Sequence, residues 1–248
     1  YRCIVTDSGV PQTGISRAAR LQITNFINVS GPNDVRAYVG ESPVRLIANV
    51  TGGIPPFYYQ WFKNDESLSD EPIEGQNTLD RGDADDTDVG NYYVIVSDSS
   101  GGLNPPVTSR TAEVKVAEPP QIITHPQSLN VYAGQDAIFE VEVSGGFEPY
   151  TYDWWQSGVG SLGVNDSVLL LPGVDATYDG NQYLVYIYDQ PSTITGINTT
   201  LISDPALLRV ASEVVFTQQP QDTSLYIDDP SFWLTADFDG GLSPVYYE

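Results

Sequence analysis

An internal repeat of a little over ninety residues constrains the fold of this chain more than any other feature. Residues 92–98 (YYVIVSD) match residues 183–189 (YLVYIYD) and residues 1–7 (YRCIVTD), and each step is 91 residues long. A second marker, a Gly-Gly pair, recurs at residues 52–53, 145–146 and 240–241. Self-similarity at a fixed period indicates tandem copies of one folded unit. The 248 residues are therefore expected to hold several similar domains.

Alternating apolar residues within each copy indicate β-strands. In residues 44–50, 137–143 and 232–238, apolar side chains recur at every second position. Such alternation is typical of a strand that buries one face. Clusters of Gly, Pro, Asn and Asp separate these runs, and no long stretch has helical periodicity. Several short strands separated by turns predict an all-β fold made of β-sandwich domains.

Tryptophan and tyrosine positions predict the type of sandwich. Trp61 and Trp154 follow the Gly-Gly marker by the same interval, and Trp61 ends a Gly-Gly-x-Pro-Pro-x-Tyr-x-x-Trp motif at residues 52–61. Asp88-x-Gly90-x-Tyr92 precedes the repeated strand as a tyrosine corner does. Together with YRCIVTDSG at the start of the chain, these motifs resemble the immunoglobulin-like tandem repeats of large bacterial surface proteins and adhesins. The resemblance covers the whole chain and implies I-set-like sandwiches with a buried Trp on the third strand.

The resemblance also implies that most of these domains lack the disulfide that joins the two sheets. The positions that would carry the two cysteines are Ala48 with Val94, and Val141 with Val185. Apolar packing is expected to replace the bridge there. Cys3 occupies the matching place in the first copy, and we interpret it as a core thiol or half of a disulfide rather than a nucleophile.

Strands that resemble one another near the end of each copy set the predicted domain boundaries. Residues 1–24 are expected to be the C-terminal part of one domain, and residues 212–248 the N-terminal part of another. Two complete domains are expected between them, at residues 25–117 and 118–211. The joints are short and have no Gly/Ser-rich spacer, which favours a semi-rigid rod cut from a longer protein.

Composition excludes several classes of function. Ten Lys and Arg residues against 33 Asp and Glu give a net charge of −23, which is unsuited to nucleic acid. No apolar stretch is long enough to span a membrane. His125, the single histidine, lies beside a proline where the other copies have Gly31 and Gln219, so we interpret it as a scaffold residue. No catalytic motif is present, and the chain is not expected to be an enzyme.

The densest acidic run, residues 80–88, has two interpretations. Carboxylate oxygens at this density could bind Ca²⁺. The run lacks the glycine and the final glutamate of an EF-hand loop, which favours a solvated turn that leads into the tyrosine corner. No cofactor and no metal-ligand set is predicted, and Ca²⁺ remains the weaker alternative.

An outward-facing aromatic surface is the candidate binding site. If the side chains alternate as expected, Trp155, Tyr186 and Tyr188 point outward in one domain, and Phe62 and Tyr93 do so in the other. Such a face could contact glycans or proteins, or pack against a sister chain. The alternative is aromatic pairing across strands that only stiffens an exposed sheet.

Together these features predict a non-catalytic structural or adhesive stalk segment of a long extracellular surface or filament protein. The expected partners are copies of the same protein or glycan and protein surfaces. A glycan- or protein-binding module is the first alternative. A set of accessory domains on a viral particle or a secreted enzyme is the second, because β-sandwiches of this type serve many functions.

Overall fold

The computed structural model describes residues 2–6, 9, 13–19, 23–196, 199–225, 227, 231 and 233–242. The described residues form β-strands and two 3-10 helices of three residues each, which confirms the all-β prediction. Neither helix approaches the length of a membrane crossing. The chain divides into two compact units, residues 1–116 and 117–248. Tyr1, Asp7 and Phe232, which belong to the repeats noted above, lie outside the described residues.

The first unit holds a short hairpin and one sandwich. Its 3-10 helix is Asp86–Asp88. Its strands are β1 (Ile4–Thr6), β2 (Thr13–Ile15), β3 (Asn28–Ser30), β4 (Val35–Tyr38), β5 (Val44–Ile47), β6 (Asn49–Thr51), β7 (Phe57–Lys63), β8 (Glu66–Ser67), β9 (Ile73–Glu74), β10 (Thr78–Gly82), β11 (Gly90–Asp98), β12 (Val107–Thr108) and β13 (Ala112–Ala117).

The second unit holds another sandwich and a separate antiparallel pair of short strands, Val215–Gln218 and Asp237–Asp239. Its 3-10 helix is Ala176–Tyr178. Its strands are β14 (Gln121–Thr124), β15 (Leu129–Tyr132), β16 (Ala137–Glu140), β17 (Glu142–Ser144), β18 (Thr151–Gln156), β19 (Gly160–Ser161), β20 (Val168–Leu171), β21 (Gln182–Tyr188), β22 (Thr200–Ile202), β23 (Ala206–Ala211), β24 (Val215–Gln218) and β25 (Asp237–Asp239).

Each sandwich has a large sheet and an opposing set of shorter pairs. The large sheets have the orders β4-β13-β11-β7-β8 and β15-β23-β21-β18-β19. The opposing layer consists of the pairs β3-β6 and β5-β10 in one sandwich, and β14-β17 and β16-β20 in the other. Two such layers around one core are the architecture of immunoglobulin-like domains, so the predicted fold class is confirmed.

In each sandwich the first two short strands belong to different layers. In the second unit, β14 pairs antiparallel with β17, and after Pro126 the chain crosses to the large sheet. There β15 runs parallel to β23, with Leu129 opposite Leu208 and Val131 opposite Val210. Pro126 lies at this crossing because proline cannot donate to a strand ladder and so interrupts strand pairing. Pro32 stands at the corresponding place between β3 and β4.

Both sandwich cores close around the residues that the sequence singles out. Trp61 is 2% exposed, and Trp154 is fully buried. Their indole nitrogens donate to the Gln76 and Asp166 carbonyls, at 3.0 and 2.8 Å. The four positions that could have carried bridging cysteines are buried aliphatic side chains, namely Ala48, Val94, Val141 and Val185. Apolar packing therefore stands where a disulfide would add about 2–4 kcal/mol.

The Gly-Gly pairs make the same backbone hydrogen bond in three places. In each, the second glycine donates its N–H to a carbonyl in the segment that leads into the domain. The three bonds are Gly53 to Asn25 at 2.8 Å, Gly146 to Glu118 at 2.7 Å, and Gly241 to Ser212 at 2.8 Å. Each Gly-Gly pair therefore holds the segment that enters its domain against the loop that follows β6, β17 or β25.

The aspartate that ends the repeated strand bonds the residue after the Gly-Gly pair. Asp98 accepts from the Ile54 N–H at 2.8 Å, and Asp189 accepts from the Phe147 N–H at 3.2 Å. Desolvation raises the pKa of Asp98, but hydrogen bonds led by those from Ser100 and Asn104 outweigh it and lower the pKa to about 2. The two sequence markers are thus parts of one hydrogen-bonded corner.

The hairpin β1-β2 places Cys3 differently from the sequence expectation. Cys3 is exposed and forms no disulfide with any described residue. Among the described residues Cys3 is therefore not a core thiol, and its interpretation as half of a disulfide stays a prediction.

Candidate functional site

The second sandwich carries an aromatic pair on the outer side of its large sheet. Along β21, Tyr183, Val185 and Ile187 are buried, while the residues between them are half-buried and point outward. Trp155 is 38% exposed on the neighbouring strand β18 and lies directly opposite Leu184. Its ring is tilted by 60° to that of Tyr186, with centroids 5.5 Å apart. We call the surface formed by Trp155, Leu184, Tyr186 and Tyr188 the aromatic face.

An open pocket of about 360 Å³ lies on the aromatic face. Trp155, Leu184 and Tyr186 form one side, and the turn from Gln156 to Gly160 forms the other. Val159, at the tip of this turn, is 69% exposed. Apolar and aromatic groups that stay open to solvent are typical of surfaces that bind a partner.

A carboxylate holds the tryptophan in place. The Trp155 indole N–H donates to Asp153 Oδ2 at 2.6 Å, and the Ser161 hydroxyl donates to Asp153 Oδ1. Asp153 lies opposite Tyr186 across the β18–β21 pair. The ring orientation is therefore set by a charged hydrogen bond as well as by packing.

Tyr188 lies further along the same strand, away from the pocket. It is half-buried and lies opposite Thr151 on one side and Thr200 on the other. The structure brings Trp155 and Tyr186 together but places Tyr188 outside the pocket lining.

The first sandwich has an aromatic pair on the same side of its large sheet. Phe62 and Tyr93 lie opposite each other on β7 and β11 and stack with centroids 4.8 Å apart and planes 6° apart. Partial desolvation and then the nearby Asp65 carboxylate raise the pKa of Tyr93, so its hydroxyl stays protonated. Phe62 and Trp155 occupy equivalent places, each following the buried Trp of its domain. Stacking covers one face of each of these rings, and Tyr93 also lines a more polar pocket with Asn64, Asp65, Asn91 and Thr111.

The acidic run at residues 80–88 serves the fold. Asp85 caps the first 3-10 helix, accepting the Thr87 N–H at 2.7 Å, and hydrogen bonds from the Thr87 hydroxyl and N–H lower its pKa. Asp88 is 2% exposed and accepts from Arg81 Nε at 2.9 Å. Asp80 accepts from Arg45 Nε at 2.8 Å. These carboxylates cap a turn and pair with arginines, which favours the turn interpretation over Ca²⁺.

Metal-binding clusters are not found among the described residues: no group of three or more His, Cys, Asp or Glu side chains converges there. His125 accepts the Asp204 N–H on Nδ1 at 2.8 Å, next to the start of β23. This backbone contact is consistent with the scaffold role expected for His125.

Several residues of the candidate site were missed by the sequence analysis. Leu184 and the turn at residues 156–160 line the pocket, although neither carries a sequence marker. The hydrogen bond from Trp155 to Asp153 could not be predicted, because both residues lie on one strand and strand alternation alone does not specify side-chain rotamers.

Comparisons with known proteins support the fold. No family model matches the chain. Mouse neogenin is 27% identical over 168 residues, which are 64% of this chain and 11% of neogenin. The human netrin receptor DCC is also 27% identical over 168 residues, with the same shares of 64% and 11%. The chain therefore spans only about a tenth of the length of these curated relatives.

Two solved structures resemble the chain in fold. An I-band fragment of titin has a TM-score of 0.52 at 19% identity, covering 81% of this chain and 70% of the fragment. The three N-terminal domains of the outer capsid protein Hoc of bacteriophage RB49 have a TM-score of 0.50 at 15% identity, covering 84% and 77%. The immunoglobulin-like part of the resemblance is supported. The bacterial part is not, because the curated relatives are from mouse, rat and human.

Proposed function

We propose that this chain is an adhesive segment of a longer extracellular surface protein, built from tandem immunoglobulin-like domains that hold partners without catalysis. Residues 25–117 and 118–211 are its two complete domains, and residues 1–24 and 212–248 belong to neighbouring ones. The observation that carries the proposal is the recurrence of an outward aromatic side chain at equivalent places, Phe62 and Trp155, on the large sheets of both domains. An exposed aromatic is energetically useful chiefly when a partner covers it.

Two further observations support an adhesive and non-catalytic role. The buried Asp88 is engaged by Arg81 and the half-buried Asp98 by backbone and amide N–H groups, so both have structural partners. Among the curated relatives, the netrin receptor DCC is by its name a receptor. Such a chain would serve an animal cell surface, as the curated relatives suggest.

A plain spacer is the second candidate function. The stacked Phe62–Tyr93 pair favours it, because two rings that cover each other stiffen a sheet without any partner. The accessory-domain alternative has no observation in its favour beyond the fold.

An adhesion assay separates adhesion from spacing. Beads coated with the 248-residue chain are placed on intact cells of the organism that produces it, and the retained fraction is measured under flow. We expect the double variant Phe62→Ala with Trp155→Ala to reduce retention by about fivefold or more, as loss of a central aromatic contact does. Ile138→Ala is the matched control, since Ile138 is 48% exposed on the opposite sheet. Equal retention by all variants, or none above uncoated beads, would overturn the adhesive proposal in favour of a spacer.

A further inference from the structure

The pocket beside Trp155 has the chemistry of a cation-binding surface. A cation is attracted to the face of an aromatic ring, most strongly to tryptophan. Trp155 and Tyr186 present two such rings at 5.5 Å, and both line the same open pocket. The Trp155 N–H donates to the Asp153 carboxylate at 2.6 Å, which increases the electron density of the indole ring. A positive group over these rings would thus meet both π-electron density and a nearby negative charge.

The domain supplies no positive group of its own for this pocket. Residues 118–211 contain eleven Asp and Glu side chains and a single basic one, Arg209. Arg209 lies on β23 with its guanidinium 3.9 Å from Asp179, and neither residue lines the pocket. The first sandwich differs, because residues 25–117 contain six Lys and Arg side chains. There Lys63, next to Phe62, lies 5.6 Å from the ring centre of Tyr92.

We propose that the pocket formed by Trp155, Leu184 and Tyr186 binds an arginine side chain presented by a basic protein partner. This inference rests on the adhesive function proposed above and names the partner class for the second domain. A planar guanidinium stacks on an aromatic face better than an ammonium group does, and Asp153, whose oxygens already accept from Trp155 and Ser161, adds negative charge beside the rings. The aliphatic part of the arginine would lie against Leu184 and the exposed Val159.

Charge decides between a basic partner and a second copy of this chain. Each copy of this chain has a net charge of −23. Two copies therefore repel each other at low and moderate salt, because their charges are not fully screened. A basic partner is attracted over the same distances, which raises its rate of encounter.

The test uses a defined probe, the peptide acetyl-Arg-Gly-Arg-Gly-Arg-amide, and the whole 248-residue chain. The shift of the Trp155 indole N–H resonance is followed in a two-dimensional NMR titration. The same peptide with citrulline in place of arginine is the neutral control, since citrulline has nearly the same shape and no charge. We expect saturable binding of the arginine peptide and at least about tenfold weaker binding of the citrulline peptide.

Three variants show where the peptide binds, with binding followed by the quenching of a fluorophore on the peptide. Trp155→Ala is expected to weaken binding by about fivefold or more, and Asp153→Asn by about threefold, whereas Ile138→Ala has no effect. Equal binding by Trp155→Ala and the unmodified chain would mean diffuse attraction to the acidic surface and would overturn the inference. Equal affinity for the citrulline and arginine peptides would also overturn the inference. So would displacement of the arginine peptide from the pocket by a neutral oligosaccharide.

This failure is distinguishable from failure of the adhesive function. Retention on cells that depends on Trp155, without binding of the arginine peptide, would leave adhesion standing and remove the basic partner. Binding of the arginine peptide without retention on cells would support the arginine pocket and contradict the adhesive function.

Discussion

At the scale of single residues, two equivalent tyrosines differ in how their hydroxyls are satisfied. Tyr92 donates to the Asp88 carbonyl at 2.8 Å, closing the tyrosine corner that the sequence predicts. Tyr183 is equally buried, yet its hydroxyl has no hydrogen-bond partner among the described residues. Burial raises the pKa of both tyrosines, so both stay neutral. The same residue type at the same place thus bonds a backbone carbonyl in one domain, whereas in the other it has only the Asn181 side chain nearby, without a well-formed hydrogen bond.

Removing these two hydroxyls should therefore have different effects. Tyr92→Phe is expected to lower the free energy of unfolding of its domain by about 1 kcal/mol, because a hydrogen bond is lost and the Asp88 carbonyl is left buried. Tyr183→Phe is expected to change stability by less than about 0.5 kcal/mol, or to raise it. Urea unfolding, followed by the indole NMR signals of Trp61 and Trp154, reports each domain separately. Equal losses in both variants would show that Tyr183 has a partner of comparable strength.

At the scale of elements, the corner made by the Gly-Gly pair requires glycine for two reasons. Gly145 has φ +76°, and a Cβ there would lie 2.6 Å from the Pro119 carbonyl oxygen. Gly134, in the turn before β16, has φ +89° but open space around it. Both positions require a left-handed backbone, whereas only Gly145 also requires the absence of a side chain.

Alanine substitutions separate the two requirements. Gly134→Ala is expected to destabilise its domain by about 1 kcal/mol, the cost of a left-handed alanine. Gly145→Ala is expected to cost about 2 kcal/mol or more, because the new methyl also displaces backbone that a hydrogen bond holds. Urea unfolding followed by the Trp154 indole signal measures both. Matching losses would mean that the entering segment moves aside freely.

Elements also show what could and could not be predicted from the sequence. The strands, the buried tryptophans and the apolar substitutes for the disulfide could be predicted, because alternation and spacing act locally. The bond from Gly53 to Asn25 could not, because recurrence identifies a marker without naming its partner. The crossing at Pro126 was missed for a similar reason, since a proline predicts an interruption but not the sheet that the chain joins next. In the candidate site, alternation predicted that Trp155 and Tyr186 face outward, but not the pocket between them.

At the scale of the whole molecule, acidic charge is unequally compensated. In residues 25–117, Arg45, Arg81 and Arg110 each lie within 3 Å of a carboxylate, on Asp80, Asp88 and Asp34 respectively. In residues 118–211, the described pair of Arg209 with Asp179 is weaker, at 3.9 Å, and His125 accepts a backbone N–H on Nδ1 instead of compensating a carboxylate. Uncompensated like charges destabilise a compact state, and salt screens them.

Salt should therefore stabilise the second domain more than the first. Between about 10 and 200 mM NaCl, the melting temperature of domain 118–211 is expected to rise by about 2–4 °C, which corresponds to about 0.5 kcal/mol. Domain 25–117 should change less, because salt also weakens its ion pairs. Melting curves from the two indole signals test this.

The same melting curves test for calcium when CaCl₂ and MgCl₂ are compared at equal ionic strength. A rise in melting temperature specific to Ca²⁺ in domain 25–117 would support calcium binding by residues 80–88.

The parallel pairing of β15 with β23 has a mechanical consequence. The chain enters this sandwich through β14, joins the large sheet after Pro126 as β15, and leaves at the end of β23; β15 and β23 run side by side in the same direction. A pulling force applied through the chain ends would shear these strands past each other, so that their hydrogen bonds bear the load at the same time. The sandwich formed by β14 to β23 is therefore expected to resist extension along the direction of these two strands.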